Sequence, residues 1–117
     1  MGRGMVRVQR DAIMSEEYRK IVEKIEQSRV KGEIVRLLKD NPFIMDTAYG
    51  LSKWAVVPED QVASEADELA SMGVLKRYGE GEGAVYCFTP DEELREYVLG
   101  HWPEIEQALR ARRAKER

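Results

Sequence analysis

The sequence predicts an α+β domain, a cluster of helices interrupted by one short extended run and one β-hairpin. Three observations carry this. Apolar residues recur at helical spacing at Tyr18, Ile21, Val22 and Ile25, at Ile34, Val35, Leu37 and Leu38, and at Val62, Ala66 and Leu69. Two β-rich runs, Val74 to Tyr78 and Ala84 to Thr89, flank the glycine-alternating tip Gly79-Glu80-Gly81-Glu82-Gly83. Proline or glycine stands where helices have to start or stop, at Pro42, Pro58, Gly73 and Pro90.

Each element follows from local chemistry. Ser15 is a candidate N-cap, with Glu16 and Glu17 in the positive first turn of a helix that carries the Tyr18–Ile25 stripe. A second helix is expected from about Val30 to Lys39 and ends at Asp40-Asn41-Pro42, because the residue before proline avoids the α region. Phe43-Ile44-Met45 reads as the short extended run. Asp46 is expected to cap a third helix bearing Ala48, Leu51, Trp54 and Ala55.

Val56-Val57-Pro58 marks a tight turn, with Pro58 suited to the first position of the fourth helix, where no N–H is needed. Gly73 is expected to close that helix in the left-handed conformation. Thr89-Pro90-Asp91-Glu92 reads as a capping box for a helical stripe through Leu94, Tyr97, Val98, His101, Ile105 and Leu109, interrupted at Pro103. Arg110, Arg112, Arg113, Lys115 and Arg117 make the end basic.

The 117 residues amount to one domain with one modest core. A net charge of -3 is nearly balanced and selects no partner. The chain has no apolar run of about 18 residues, so no membrane span is expected. The lone Cys87 excludes an intrachain disulfide and fits a reducing cytoplasm. Residues 1–14, with Arg3, Arg7 and Arg10, are expected to be a flexible basic tail ahead of a domain over 15–117.

Residues 30–89, the expected domain core, resemble the winged helix-turn-helix domains of bacterial and archaeal regulators, such as the arsenical-repressor-like and multiple-antibiotic-resistance-like groups. The resemblance rests on Ala48-x-x-Leu51-x-x-Trp54, Pro58-x-x-x-Val62, and Leu69-x-x-x-Gly73-Val74-Leu75-Lys76-Arg77 running directly into the hairpin. It covers about half the chain and implies a three-helix core backed by a small sheet. In DNA-binding members the helix after the turn lies in the major groove. In such regulators helices flanking the domain often form a dimer, so a homodimeric transcriptional regulator acting on double-stranded DNA is the expected function. The same helices serve equally well to complete the core of a monomer.

The candidate DNA contacts are Lys53, Gln61, Ser64, Lys76 and Arg77, helped by Arg110, Arg112 and Arg113. The charge pattern keeps a second reading open. With Val62, Ala66 and Leu69 inward, Asp60, Ser64, Asp67 and Ser71 turn outward, flanked by Glu59, Glu65 and Glu68. From residue 41 to 75 there is one base, Lys53, against six acids. DNA affinity comes largely from Lys and Arg on phosphates. The alternative is a protein–protein module whose acidic face, Asp60, Glu65, Asp67 and Glu68, docks on a basic partner, since fold alone does not set function.

The remaining residues point to packing. His101 lies on an apolar stripe, Cys87 reads as a buried mid-strand residue, and Trp54 and Trp102 read as packing aromatics. One His and one Cys make no metal-ligand cluster of the usual spacing, and no cofactor is expected. No nucleophile–base pair stands out, so no enzymatic activity is expected.

Overall fold

The computed structural model of the chain describes residues 16–115. The expected tail over 1–14, the Ser15 cap and Arg117 lie outside these residues. The elements are α1 (16–26), then α2 (Arg29–Asp40), β1 (Met45–Thr47), α3 (Ala48–Ala55), α4 (Glu59–Ser71), β2 (Leu75–Tyr78), β3 (Val85–Phe88), α5 (Glu92–Gly100) and α6 (Trp102–Lys115). The three strands form one antiparallel sheet in the order β1-β3-β2. The class is α+β, as the sequence predicts.

Side chains set the helix ends. Ser28 Oγ accepts the Lys31 N–H at 3.1 Å and starts α2. Asn41 closes it, with both its backbone N–H and its side-chain amide donating to the Leu37 carbonyl. The extended run comes later than expected. Ile44 N–H bonds back to the Asn41 carbonyl, which keeps Phe43 in a turn, and pairing with β3 begins only at Met45, opposite Cys87.

The cap of α3 is Thr47, whose Oγ1 accepts the Gly50 N–H at 3.2 Å; Asp46 is a residue of β1 and its Oδ1 accepts the Thr47 N–H. Pro58 is the N-cap of α4 and not its first helical residue. Asp91 caps α5 by accepting from Glu93 and Leu94, so that helix starts two residues beyond the Thr89 box. Thr89 Oγ1 instead accepts the Asp91 N–H and shapes the entry. The break between α5 and α6 falls at His101, whose ring stacks on Tyr97 and whose Nδ1 lies 2.8 Å from the Tyr97 carbonyl.

Two backbone positions make the unit of α3, α4 and the hairpin compact. Val56 ends α3 with φ 58, a left-handed conformation that a β-branched residue adopts only at a cost. Gly73 follows α4 with φ +86, and Val74 N–H then bonds the Leu69 carbonyl, so β2 begins at once.

One core joins the six helices and the hairpin. Val62, Ala66 and Leu69 of α4 pack with Ile34, Val35 and Leu38 of α2, Leu51 of α3, and Val74, Leu75, Tyr86 and Phe88 of the hairpin. Each such aliphatic side chain contributes about 1.5–3 kcal/mol on burial, before entropy is counted. Val22 and Ile25 of α1, Leu94 and Val98 of α5, and Trp102, Ile105 and Leu109 of α6 belong to the same core. The flanking helices therefore bury their apolar stripes within the monomer. Gly32 lets α6 approach α2 closely, since a Cβ there would meet Leu109 Cδ1 at 3.2 Å.

Three single-residue expectations divide. Trp102 packs, its Nε1 donating to Glu106. Trp54 does not: it lies on the outer flank of α3 with 66% of its surface exposed, because Leu51 and Ala55 take the inner face. Cys87 is half-buried. Among the described residues no helix is long and apolar enough to cross a membrane.

Candidate nucleic-acid interface

The helix α3, the turn at Val56 and the helix α4, followed directly by the β2–β3 hairpin, form the candidate reading surface. With Val62, Ala66 and Leu69 fully buried, Asp60, Ser64, Asp67 and Ser71 face outward, as expected, and Gln61 is exposed beside them. The hairpin tip turns through Gly81–Gly83 in a short 3-10 segment, carrying Glu82 on the exposed side.

The acids of α4 are not equivalent. Lys31 of α2 is a buried cation, 4% exposed, and its ammonium contacts both Glu65 and Glu68. Ser28 Oγ also donates to Glu65, at 2.9 Å. Burial alone would lower the Lys31 pKa, but the two carboxylates outweigh it and hold it above its ordinary value. The same ammonium holds Glu68 below the ordinary carboxylate value. Glu65 and Glu68, read from the sequence as an outward docking face, thus tie α4 to α2. Lys31 itself gave a readable signal: it stands three, four and seven residues before Ile34, Val35 and Leu38, on the inner face of α2.

Asp67 is also engaged. It accepts the Tyr86 hydroxyl at 2.5 Å and lies 3.6 Å from Arg77, whose guanidinium sits over the Tyr86 ring. Burial, then the bond to Asp67, push the Tyr86 phenol up to about 12. Arg77 therefore braces the wing against α4. Lys53 and Lys76 differ: both are exposed, each over a tyrosine ring (Tyr49 and Tyr78), and neither has a carboxylate partner among the described residues.

The C-terminal arginines divide as well. Arg110 is exposed and pairs with Glu106 one turn away. Arg112 Nε donates to the Glu26 carbonyl at 2.9 Å. Arg113 grips the buried Glu33, which Arg36 also contacts. Burial pushes the Glu33 carboxyl up, and Arg113 and Arg36 more than reverse this, leaving it lowered. Arg112 and Arg113 thus fasten α6 to the body.

Two grooves result. One, of about 490 Å³, lies between α4 and the wing and is lined by Glu59, Asp60, Asp67, Arg77, Glu82 and Tyr86 among others. The other, of about 390 Å³, brings Gln61 and Glu65 of α4 together with Arg112 and Lys115 of α6 and Ser28, Arg29 and Val30 at the start of α2. Among the described residues no group of His, Cys, Asp and Glu is arranged to hold a metal ion.

A helix–turn–helix followed at once by a two-stranded wing, with a third strand beside it, defines the winged helix-turn-helix fold. Solved structures share it. Ligand-free NadR superposes with a TM-score of 0.53 at 18% identity, over 95% of this chain and 76% of that one. NadR in complex with 4-hydroxyphenylacetate gives 0.51 at 18% identity, over 96% and 74%. Bordetella bronchiseptica BpsR, whose DNA binding is regulated by 6-hydroxynicotinic acid, gives 0.55 at 16% identity, over 86% and 77%. No protein-family model and no curated protein sequence matches the chain. At these identities the likeness is one of fold.

Proposed function

We propose that the chain is a DNA-binding transcriptional regulator acting as a homodimer, with α4 reading the major groove. The observation that carries this is the internal pairing of the α4 acids. Glu65 and Glu68 share the one cation Lys31, and Asp67 has Arg77 and the Tyr86 hydroxyl, so the repulsion toward phosphate is smaller than the acid count suggests. What remains unpaired on α4 is Glu59 and Asp60 at its first turn and neutral Gln61 and Ser64 beyond it, with Lys53 and Lys76 available for phosphates. Arg77, Arg110, Arg112 and Arg113 take secondary parts because each already has a partner. BpsR supports the reading as a winged-helix neighbour whose DNA binding is regulated.

The test is fluorescence anisotropy of the full chain with random-sequence duplex DNA at low and physiological salt. Micromolar, salt-sensitive binding is expected. No binding at low salt overturns the proposal.

One observation favours a second reading. Glu59, Asp60, Asp67 and Glu82 line the groove between α4 and the wing with a single cation, Arg77, among them. That groove suits a basic segment of a partner protein. In that case charge reversal at Asp60 and Asp67 breaks the complex while Lys53→Glu leaves it intact.

A further inference from the structure

The described parts of the flanking helices expose no large apolar side chain, yet the protein has an apolar face elsewhere. Residues 41–44, between α2 and β1, and Trp54 on the adjoining flank of α3 enclose a groove of about 410 Å³ lined by Asn41, Pro42, Phe43, Ile44 and Trp54. Phe43 projects from it with 95% of its surface in solvent. The chain then enters β1, an edge strand of the sheet, with Met45 still 56% exposed. Nothing in the fold requires these side chains to face water, and none of them belongs to the α4–wing surface.

We infer that this face is where two copies of the chain meet, so that Phe43 of each copy enters the Pro42–Trp54 groove of the other. The inference rests on the dimer reading above and assigns its surface.

Three features select a second copy as the occupant. The face carries both a projecting ring and a groove, the self-complementary arrangement that a twofold interface needs. No charged residue lines it, so two copies of this net-negative chain meet there without burying a charge. The area also fits. At ~150–250 Å² for a buried aromatic, Phe43, Trp54 and their neighbours offer roughly 400–500 Å² of apolar surface per copy. Two such faces bury roughly 900 Å², below the ~1,200 Å² at which stable interfaces begin, which describes a weak, reversible dimer sensitive to concentration. Tyr49, Lys53 and Val56 line a separate groove toward the start of α4 that shares no residue with this one.

The experiment is sedimentation of the full chain across a concentration series, for the wild type, Phe43→Ser, Trp54→Ser and the control Val56→Ser, with circular dichroism to verify folding. A two-chain mass that weakens about tenfold or more with Phe43→Ser or Trp54→Ser, and not with Val56→Ser, is the expected result. A single-chain mass at every concentration overturns the dimer itself. A two-chain mass indifferent to Phe43→Ser and Trp54→Ser overturns the surface assignment and leaves the dimer standing. The DNA titration is read separately, so its failure is distinguishable from both.

Discussion

Arg113 and Glu33, 80 residues apart in sequence, meet through two contacts of 2.9 and 2.6 Å that pin the end of α6 to the middle of α2. Glu33 is buried and Arg113 partly exposed. Removing the arginine leaves the carboxylate with only Arg36 and Arg29 nearby. Arg113→Ala is expected to destabilise the fold by about 1–3 kcal/mol, measured by urea denaturation. An unchanged midpoint would show that the pair is incidental.

The same pair predicts a pH dependence. Glu33 has a folded pKa below its ordinary value of 4.5. Its contribution is therefore complete above that value and is lost as pH falls through the lowered folded one. Thermal melts taken from neutral pH down to about pH 3 should show a drop in Tm that is smaller in Glu33→Gln. An identical drop in both proteins would assign the acid sensitivity to other carboxylates.

Val56 predicts a gain. Its φ of 58 is strained for a β-branched residue, and its side chain is 78% exposed, so little packing is lost on removal. Val56→Gly is expected to stabilise the protein by about 0.5–1 kcal/mol, a few degrees in Tm, because relief of strain exceeds the entropy cost of glycine. A lower Tm would mean that the turn needs the valine side chain.

Tyr86 gives a spectroscopic handle. Its phenol, pushed up to about 12 by burial and by the bond to Asp67, should ionise late in an alkaline titration. The stabilisation from that bond is intact below the ordinary value of 10 and fades as pH rises through the folded one. Tyr86→Phe should delete that late phase and cost about 1 kcal/mol. Persistence of the late phase would assign it to another tyrosine.

For DNA, Lys53→Ala and Lys76→Ala should each weaken binding to all sequences alike and reduce the salt slope by about one. Gln61→Ala should instead alter sequence preference. Salt slopes unchanged by both lysine substitutions would remove those residues from the interface.

What the sequence shows plainly is what short-range periodicity controls. The α4 stripe, the Gly73 stop and the hairpin all follow from residues within a few positions of one another. The caps at Thr47 and Asp91 fall one and two residues beyond expectation, because neighbouring Asp46 and Thr89 offer the same oxygen chemistry and only the folded geometry selects between them. Trp54 was misplaced because α3 has only 8 residues, too few for periodicity to separate its inner face from its flank. The electrostatics of the candidate site were least legible. Glu65 and Glu68 look free until Lys31, 34 and 37 positions away, is folded against them.

Lys31 and Glu33 lie two residues apart on α2, one fastened to α4 and the other to α6. The two fastenings respond differently to solvent: acid releases both, since it protonates Glu33 in one and Glu68 in the other, whereas alkali releases only the one made by Lys31. Amide exchange should therefore loosen α4 and the end of α6 together in acid, and α4 without α6 in alkali. In both, α2 stays the slowest-exchanging helix, the beam from which the other two hang.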